Sequence, residues 1–332
     1  MDPCSLPTCL KIGVDPIALH LGSFALYWYG LLVALGFIIA IRVGSREAEK
    51  VGLNADQLLS ATLVGALFGL LTARVFYVLQ NQPQYYVDGK HLGEALSLWQ
   101  GGLTFYGGIF GAILGVWLYT GRYNLPLLRF LDIGALVAPL GQAIGRVGNV
   151  INGDIIGINT HNFGIEYTSG NNLLLPTDQV GKAQHPVAVY DMFWEAALFA
   201  ALFYLWRRRI LRPGQAAGVY LFGFSAGQLL IGGFRAAPVG QFGLKANQLT
   251  ALPILAAGLW LFLRSTRGGA TYSEAPIEPV AVRKPRPRRP AGTAVRRTAG
   301  ATGAAKVAAP RARRAAAAPA KKSTRRPQAK GG

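Results

Sequence analysis

The residues in this sequence best suited to chemistry are one arginine and three small polar side chains that close a long apolar run. Arg146, Asn149, Asn152 and Asp154 stand among glycines, which leave room for a close backbone or a bulky guest. An arginine at the edge of hydrocarbon costs about 2.5–3.5 kcal/mol, so it normally faces the protein interior and has a partner. We interpret Arg146 as an anion-binding residue. The alternative is a helix C-terminus followed by a glycine-rich turn.

Two further arginines stand near the ends of apolar runs on the same predicted face. Arg74 is near the end of the second run, and Arg235 directly follows the sixth. Three arginines at one membrane face indicate an anionic ligand. Snorkelling towards the lipid headgroups explains any one of them equally well, and for Arg74 both interpretations stay open.

Two tyrosines supply hydroxyl groups at this face. Tyr29 lies in the outer half of the first run, where tyrosine is common at the headgroup level, and contact with a bound headgroup is the competing interpretation. Tyr106 stands among glycines where the third run begins, so its hydroxyl is expected at a helix start.

Apolar runs are the elements that must position these residues. The chain is 51% hydrophobic, and a membrane-spanning helix needs about 20 largely apolar residues. This predicts an all-α polytopic membrane protein with seven transmembrane helices. The seven runs are approximately 21–41, 57–80, 103–119, 126–145, 187–206, 217–234 and 248–263.

Charge sets the predicted orientation and the domains. Basic residues follow the first, third, fifth and seventh runs, which places the N-terminus outside and the C-terminus in the cytoplasm. Residues 1–20 form an N-terminal periplasmic segment, and residues 21–265 form the seven-helix domain, with 147–186 as an outer loop that caps it. Residues 266–332 form a basic cytoplasmic tail.

The tail has its own composition. Of the 34 Lys and Arg residues, 16 follow Gly268, and large apolar residues are scarce there. Such a segment is expected to be disordered because it cannot bury enough apolar surface. Anionic lipids or nucleic acid are its expected partners, with a merely solvated tail as the alternative.

Over approximately residues 15–265 the chain resembles the bacterial prolipoprotein diacylglyceryl transferases. The most specific landmark is the run from Gly145 to Gly153, Gly-Arg-x-Gly-Asn-x-x-Asn-Gly. The other landmarks occur in family order: Tyr27-Trp28-Tyr29-Gly30, Gly101-Gly102 to Gly107-Gly108, His185-Pro186 to Tyr190, and Arg212-Pro213.

The resemblance implies a seven-span enzyme of the bacterial inner membrane with no metal or organic cofactor. It would transfer the diacylglyceryl group of phosphatidylglycerol to the lipobox cysteine of a prolipoprotein signal peptide, forming a thioether and releasing glycerol phosphate. Arg146, Tyr106 and Asn149 would be catalytic. The residues expected to bind phosphatidylglycerol are Arg146, Asn149, Asn152, Gly157, Tyr29, Arg74, Arg235 and Gln228.

The sequence departs from the family pattern at several of these places. Tyr106 replaces the usual histidine, and Gln228 and Gly232 replace an arginine and a glutamate of the sixth span. Asp191 replaces a glutamate, and Ala188 replaces a glutamine. The group that activates the thiol is therefore unassigned, because the phenol of Tyr106 is a poor base at neutral pH unless it is tuned.

Two alternatives remain at this point. One is a paralogue that binds phosphatidylglycerol or the prolipoprotein without catalysis. The other is a small membrane transporter, which the gathering of charges at one face and the lack of an inverted repeat disfavour.

Overall fold

The computed structural model describes residues 9–21, 24–81, 93, 102–161, 163–168, 175–267 and 270–273. The tail from residue 274 and Cys4 lie outside these residues. Within them, seven helices have 18 residues or more: α1 (Trp28–Glu49), α2 (Ala55–Gln80), α3 (Phe105–Tyr123), α4 (Leu127–Asn152), α5 (Val187–Arg207), α6 (Gln215–Gly232) and α7 (Ala246–Thr266). The strands are β1 (Cys9–Ile12), β2 (Ile17–Leu21), β3 (Phe24–Tyr27), β4 (Gly164–Tyr167) and β5 (Ala183–Gln184), and Thr177–Gln179 and Gln241–Gly243 are 3-10 turns.

The helices carry their apolar surface on the outside. Leu63, Phe110 and Trp117 are each 55% exposed, whereas Asp191 and Glu195 are almost fully buried. In the described residues, α1, α2, α4, α5 and α7 are long and apolar enough to cross a membrane. This distribution is that of a membrane protein, and the predicted mostly helical architecture is confirmed.

Three helix boundaries differ from the prediction by about two turns, and the fold is not purely helical. The end of α1 lies at Glu49 rather than near residue 41. α1 begins at Trp28 rather than near residue 21, because β2 and β3 pair as an antiparallel hairpin just before it. α4 continues to Asn152 rather than ending near residue 145, and Gly153 ends it with a left-handed φ of 68°. The segment from Arg146 to Asn152 is therefore helical, and the loop expected from residue 147 begins at Gly153.

Small residues let the helices approach closely. A Cβ on Gly36 of α1 would lie 2.8 Å from the carbonyl oxygen of Gly141 on α4. A Cβ on Gly111 of α3 would lie 2.3 Å from the carbonyl oxygen of Phe68 on α2. Glycines at these contacts therefore serve helix packing.

Short strands build a cap beyond the end of α4. β1 pairs in parallel with β4, and β4 pairs antiparallel with β5, so the N-terminal segment and the long loop share one sheet. Tyr167 of β4 donates its hydroxyl to the carbonyl oxygen of Val150 at 2.9 Å. Burial raises the pKa of Tyr167, which keeps this donor protonated. The cap is thereby fixed to the last turns of α4.

The opposite end of the bundle is closed by a buried carboxylate. Asp132 of α4 is fully buried and accepts hydrogen bonds from the backbone N–H groups of Gly214 and Ala217, at 2.6 and 2.9 Å. Tyr272, beyond α7, donates its hydroxyl to Asp132 at 2.8 Å and packs on Trp206. Burial, with the nearby Asp132 charge, raises the pKa of Tyr272. The packed core thus extends past the tail boundary drawn at residue 266.

Truncation at two points separates the contribution of the Tyr272–Asp132 hydrogen bond from that of the tail. Deleting residues 274–332 is expected to leave thermal unfolding in detergent unchanged. Deleting residues 269–332 also removes Tyr272, and we expect a loss of about 1–3 kcal/mol because Asp132 is left short of a donor. Tyr272→Phe in the full chain isolates the hydroxyl. Equal stability of both truncations would contradict a structural role for Tyr272.

Candidate functional site

Arg146 lies on α4 about two turns before its end and is held by two partners. Its Nη2 is 3.5 Å from Oδ2 of Asp191 on α5, and its Nη1 is 3.5 Å from Oδ1 of Asn149. The side chain is 18% exposed. The expectation that this arginine faces the protein interior and has a partner is confirmed.

Asp191 is shared between two arginines. Nη2 of Arg235, just beyond α6, lies 2.7 Å from the Oδ2 atom of Asp191 that also faces Arg146. Asp191 is only 2% exposed. One carboxylate cannot neutralise two guanidinium groups, and Nε of Arg235 is buried without a hydrogen-bond partner in the described part of the chain. The buried Nε–H of Arg235 is thereby left as a free donor, which suits an anion.

Asn149 is oriented by Asp154. Its Nδ2 lies 3.0 and 3.1 Å from the two carboxylate oxygens of Asp154, so its Oδ1 faces Arg146. The left-handed turn at Gly153 reverses the chain and makes this contact possible. We call Arg146, Asn149, Asp154, Asp191 and Arg235 the arginine cluster.

Tyr29 and Asn152 lie beside the arginine cluster. A Cβ on Gly148 would be 2.9 Å from Cα of Tyr29, so α1 touches α4 here with no space between the backbones. Tyr29 is 40% exposed and lies close enough to Arg146 and Asp154 to interact electrostatically with both. Asn152 is the last residue of α4 and is half-buried.

Gly157 connects the loop after α4 to the segment that carries Arg235. The two residues form an isolated antiparallel bridge, and the flanking Ala236 N–H donates to the carbonyl of Ile156 at 2.9 Å. The N–H of Gly157 donates to Oε1 of Gln184 at 3.0 Å. The backbone of Gly157 therefore fixes the position of the segment that carries Arg235.

Arg74 and Tyr106 lie at contacts between other helices, outside the arginine cluster. Arg74 is 4% exposed, donates to the carbonyl oxygen of Gly102 at 3.1 Å and lies over the Tyr77 ring, so its side chain does not snorkel. The Tyr106 hydroxyl is hydrogen-bonded to that of Thr250, which links α3 to α7.

Gln228 and Gly232 lie against the side-chain amide of Asn247 on α7. Gln228 is 8% exposed, and its backbone carbonyl oxygen accepts a hydrogen bond from Nδ2 of Asn247 at 3.4 Å. A Cβ on Gly232 would lie 2.3 Å from Nδ2 of Asn247, so the Asn247 side chain occupies the space that a larger residue at position 232 would need.

Comparison with known proteins assigns the family. The family model for prolipoprotein diacylglyceryl transferase matches residues 16–264. The chain belongs to this family. It is 30% identical over 263 residues to a protein of Streptococcus pneumoniae (strain Hungary19A-6) named phosphatidylglycerol–prolipoprotein diacylglyceryl transferase, covering 78% of this chain and 97% of that protein.

A second relative has the same name and nearly the same coverage. The Streptococcus uberis (strain ATCC BAA-854 / 0140J) protein is 28% identical over 263 residues, covering 78% of this chain and 98% of that protein. The family is one of membrane transferases, so the chain is an enzyme of this class. The arginine cluster lies wholly inside the matched region.

Sequence reasoning missed the buried acid that lies next to the arginine cluster in this transferase. Glu195 lies one helical turn after Asp191 on α5 and is 1% exposed. Acidic residues four apart share a helix face, and an acid inside an apolar span is costly, so it usually marks a functional site. The pair Asp191 and Glu195 in an otherwise apolar run was the signal that could have found it.

Substitution of Gly157 tests how the loop positions Arg235 in this transferase. In Gly157→Ala the new Cβ would lie 2.2 Å from the carbonyl oxygen of His185, a backbone atom that cannot rotate away. We expect a loss of about 1–3 kcal/mol of unfolding free energy, as for other overpacked sites, measured by thermal unfolding in detergent. Gly134→Ala on α4 is the control, because nothing lies within 4 Å of its new Cβ. Equal stability of the two variants would contradict this packing.

Proposed function

We propose that the chain transfers the diacylglyceryl group of phosphatidylglycerol to the lipobox cysteine thiol of prolipoproteins. The observation that supports this most is the sharing of buried Asp191 by Arg146 and Arg235. A carboxylate between two guanidinium groups keeps them close together without neutralising both. The oxygens of a lipid phosphate diester would accept hydrogen bonds from the guanidinium N–H groups that Asp191 and Asn149 leave unused.

The proposed reaction is a displacement at a glyceryl carbon. The sulfur bonds to that carbon, the carbon–oxygen bond breaks, and negative charge collects on the departing glycerol phosphate. Arg146 would stabilise that charge in a site with little water, where fixed donors act strongly. Asn149 would orient Arg146, since its own orientation is fixed by Asp154.

The other predicted residues keep proposed roles near the lipid. Tyr29 and Asn152 would contact the headgroup, and Gly157 would hold the backbone beside Arg235. Arg74, Tyr106 and Gln228 line neighbouring helix contacts and would shape the entry of the two substrates. Tyr106 stays a proposed catalytic residue through its hydroxyl at the start of α3.

The proposed location is the bacterial inner membrane, with seven spans, the cap and the N-terminus outside, and the C-terminus in the cytoplasm. Basic residues gather at the end opposite the arginine cluster, in agreement with the positive-inside rule. They are Arg42, Arg46, Lys50, Arg122, Arg207, Arg208, Arg209, Arg212, Arg264 and Arg267. Cys9 is disulfide-bonded, which fits an oxidising compartment. The partners predicted for the tail, anionic lipid or nucleic acid, stay a prediction.

Complementation tests the proposed function. The chain is expected to sustain growth of a bacterium depleted of its own diacylglyceryl transferase, with prolipoproteins processed on immunoblots. Absence of rescue by a well-expressed chain that still binds phosphatidylglycerol would instead support the non-catalytic paralogue. The space beside Gly232, where the family usually has a glutamate, is filled by the Asn247 amide, which makes that outcome worth testing. Solute flux into liposomes would support the transporter.

A further inference from the structure

A second polar layer lies beneath the arginine cluster. α4 ends and α5 begins at the cap, so residues one turn before Arg146 and one turn after Asp191 both lie about 6 Å deeper in the bundle. These residues are Gln142 and Glu195. Tyr220 of α6 donates its hydroxyl to Oε1 of Gln142 at 3.0 Å, which brings the third helix into the layer.

Within the described ranges, Glu195 of this layer has a carboxylate oxygen without a hydrogen-bond partner. Its Oε2 is buried and has no hydrogen-bond partner among the described residues. Arg146, Asp191 and Tyr220 all interact with it electrostatically, so it faces the space between α4, α5 and α6. Burying a carboxylate oxygen without a partner is costly, and such a group in a folded protein calls for a functional explanation.

Given the proposed function, we propose that Glu195 accepts the proton of the acceptor thiol. In a displacement at carbon, the sulfur approaches from the side opposite the departing oxygen. With the phosphate at Arg146 and the acyl chains directed into the bilayer, that side faces deeper into the membrane. Glu195 lies one turn deeper than the Asp191 carboxylate that contacts Arg146.

The other carboxylates near Arg146 are already engaged. Asp191 contacts two guanidinium groups, and Asp154 accepts from Asn149 with both oxygens. Both guanidinium groups lie against Oδ2 of Asp191, and a carboxylate that faces two cations in this way is a weaker base than one without such contacts. The hydroxyl of Tyr106 is hydrogen-bonded to Thr250, and a phenol is a weaker base than this role would need at neutral pH. We therefore assign to Glu195 the proton-accepting role left open by the missing histidine and leave Tyr106 as a hydrogen-bonding group.

The proposed step is balanced in atoms and charge. The S–H proton moves to Oε2 of Glu195 as the sulfur–carbon bond forms and the carbon–oxygen bond breaks with its electron pair on the phosphate. The product glycerol phosphate is a monoester whose second pKa is about 6, so it can take the proton from Glu195 as it leaves. Glu195 is then ready for the next thiol.

A pair of acceptor peptides tests this role. The purified full chain and its Glu195→Gln variant are given phosphatidylglycerol in proteoliposomes, with lipobox peptides that carry cysteine or selenocysteine. A selenol is a much stronger acid than a thiol and is ionised at neutral pH, so it needs no base. We expect Glu195→Gln to transfer to cysteine about 10²–10⁴-fold more slowly than the wild type, and to selenocysteine at close to the wild-type rate.

Two variants control for structural effects. Glu47→Gln makes the same change at a carboxylate that is 5% exposed but lies at the opposite end of the bundle, and should leave both rates unchanged. Glu195→Asp keeps a carboxylate and should recover part of the cysteine rate.

The outcomes discriminate the proposals. Equal loss with both peptides, in a variant that unfolds at the wild-type temperature, would overturn proton transfer by Glu195. An unchanged cysteine rate would overturn it as well. Failure of the wild-type chain to transfer to both peptides would refute the proposed function itself.

Discussion

Arg146→Ala is expected to lower the rate of diacylglyceryl transfer about 10²–10³-fold, the usual cost of removing one donor from a developing negative charge. The expected loss is in turnover, because the charge on the phosphate grows only as the carbon–oxygen bond breaks. The measurement is the initial rate of peptide lipidation in proteoliposomes, followed by mass spectrometry at saturating phosphatidylglycerol.

Arg146→Lys is expected to be nearly as damaging. Lysine keeps the charge but cannot present two parallel N–H donors to a phosphate. Arg208→Ala is the matched control, because this arginine bonds to Tyr204 on an exposed surface outside the arginine cluster. Wild-type turnover in the lysine variant would refute two-donor recognition of the phosphate.

Asp191→Ala is expected to have the largest effect on stability. Asp191 is 2% exposed and faces guanidinium groups whose side chains are 18% and 22% exposed. Removing it leaves Arg146 and Arg235 without this shared counter-ion. Breaking a buried pair in this way costs about 3–5 kcal/mol, and the partial exposure of the arginines places the expectation at the lower end. Transfer should fall as well, because Arg146 loses a contact that positions it.

A double-mutant cycle isolates the pair. Asp191→Ala, Arg235→Ala and the double variant are compared by thermal unfolding in the same detergent. We expect the double variant to lose less than the sum of the single losses, with a coupling of about 1–3 kcal/mol. Additive losses would show that Asp191 and Arg235 contribute independently and would contradict the shared-carboxylate arrangement.

The helices were predictable from the sequence because hydrocarbon demands long apolar runs. Their ends were less predictable. The start of α1 depends on hairpin pairing between β2 and β3, and the end of α4 depends on one glycine, Gly153, among several in that stretch. The cap sheet joins Cys9–Ile12 to Gly164–Tyr167, a contact between distant segments that no local pattern encodes.

The arginines were predictable, but their partner was not. Charge at a span end identified Arg146 and Arg235 as residues that need an anion. The structure supplies that anion from α5, since Asp191 reaches both of them. Arg74 was grouped with them by its position, whereas its described contacts are with Gly102 and Tyr77. Which arginines face one another depends on how each helix is rotated about its axis. Contacts at small residues determine that rotation when the helices pack, so it cannot be inferred from one helix alone.

The most direct test of the account is a structure of the chain with bound phosphatidylglycerol. We expect phosphate density within hydrogen-bond distance of the Arg146 guanidinium, close to Arg235, with the glyceryl carbon that bears the phosphate on the side of Glu195 and the acyl chains in the bilayer. The lipid bound at another face, with Arg146 still directed only at Asp191 and Asn149, would contradict the central claim.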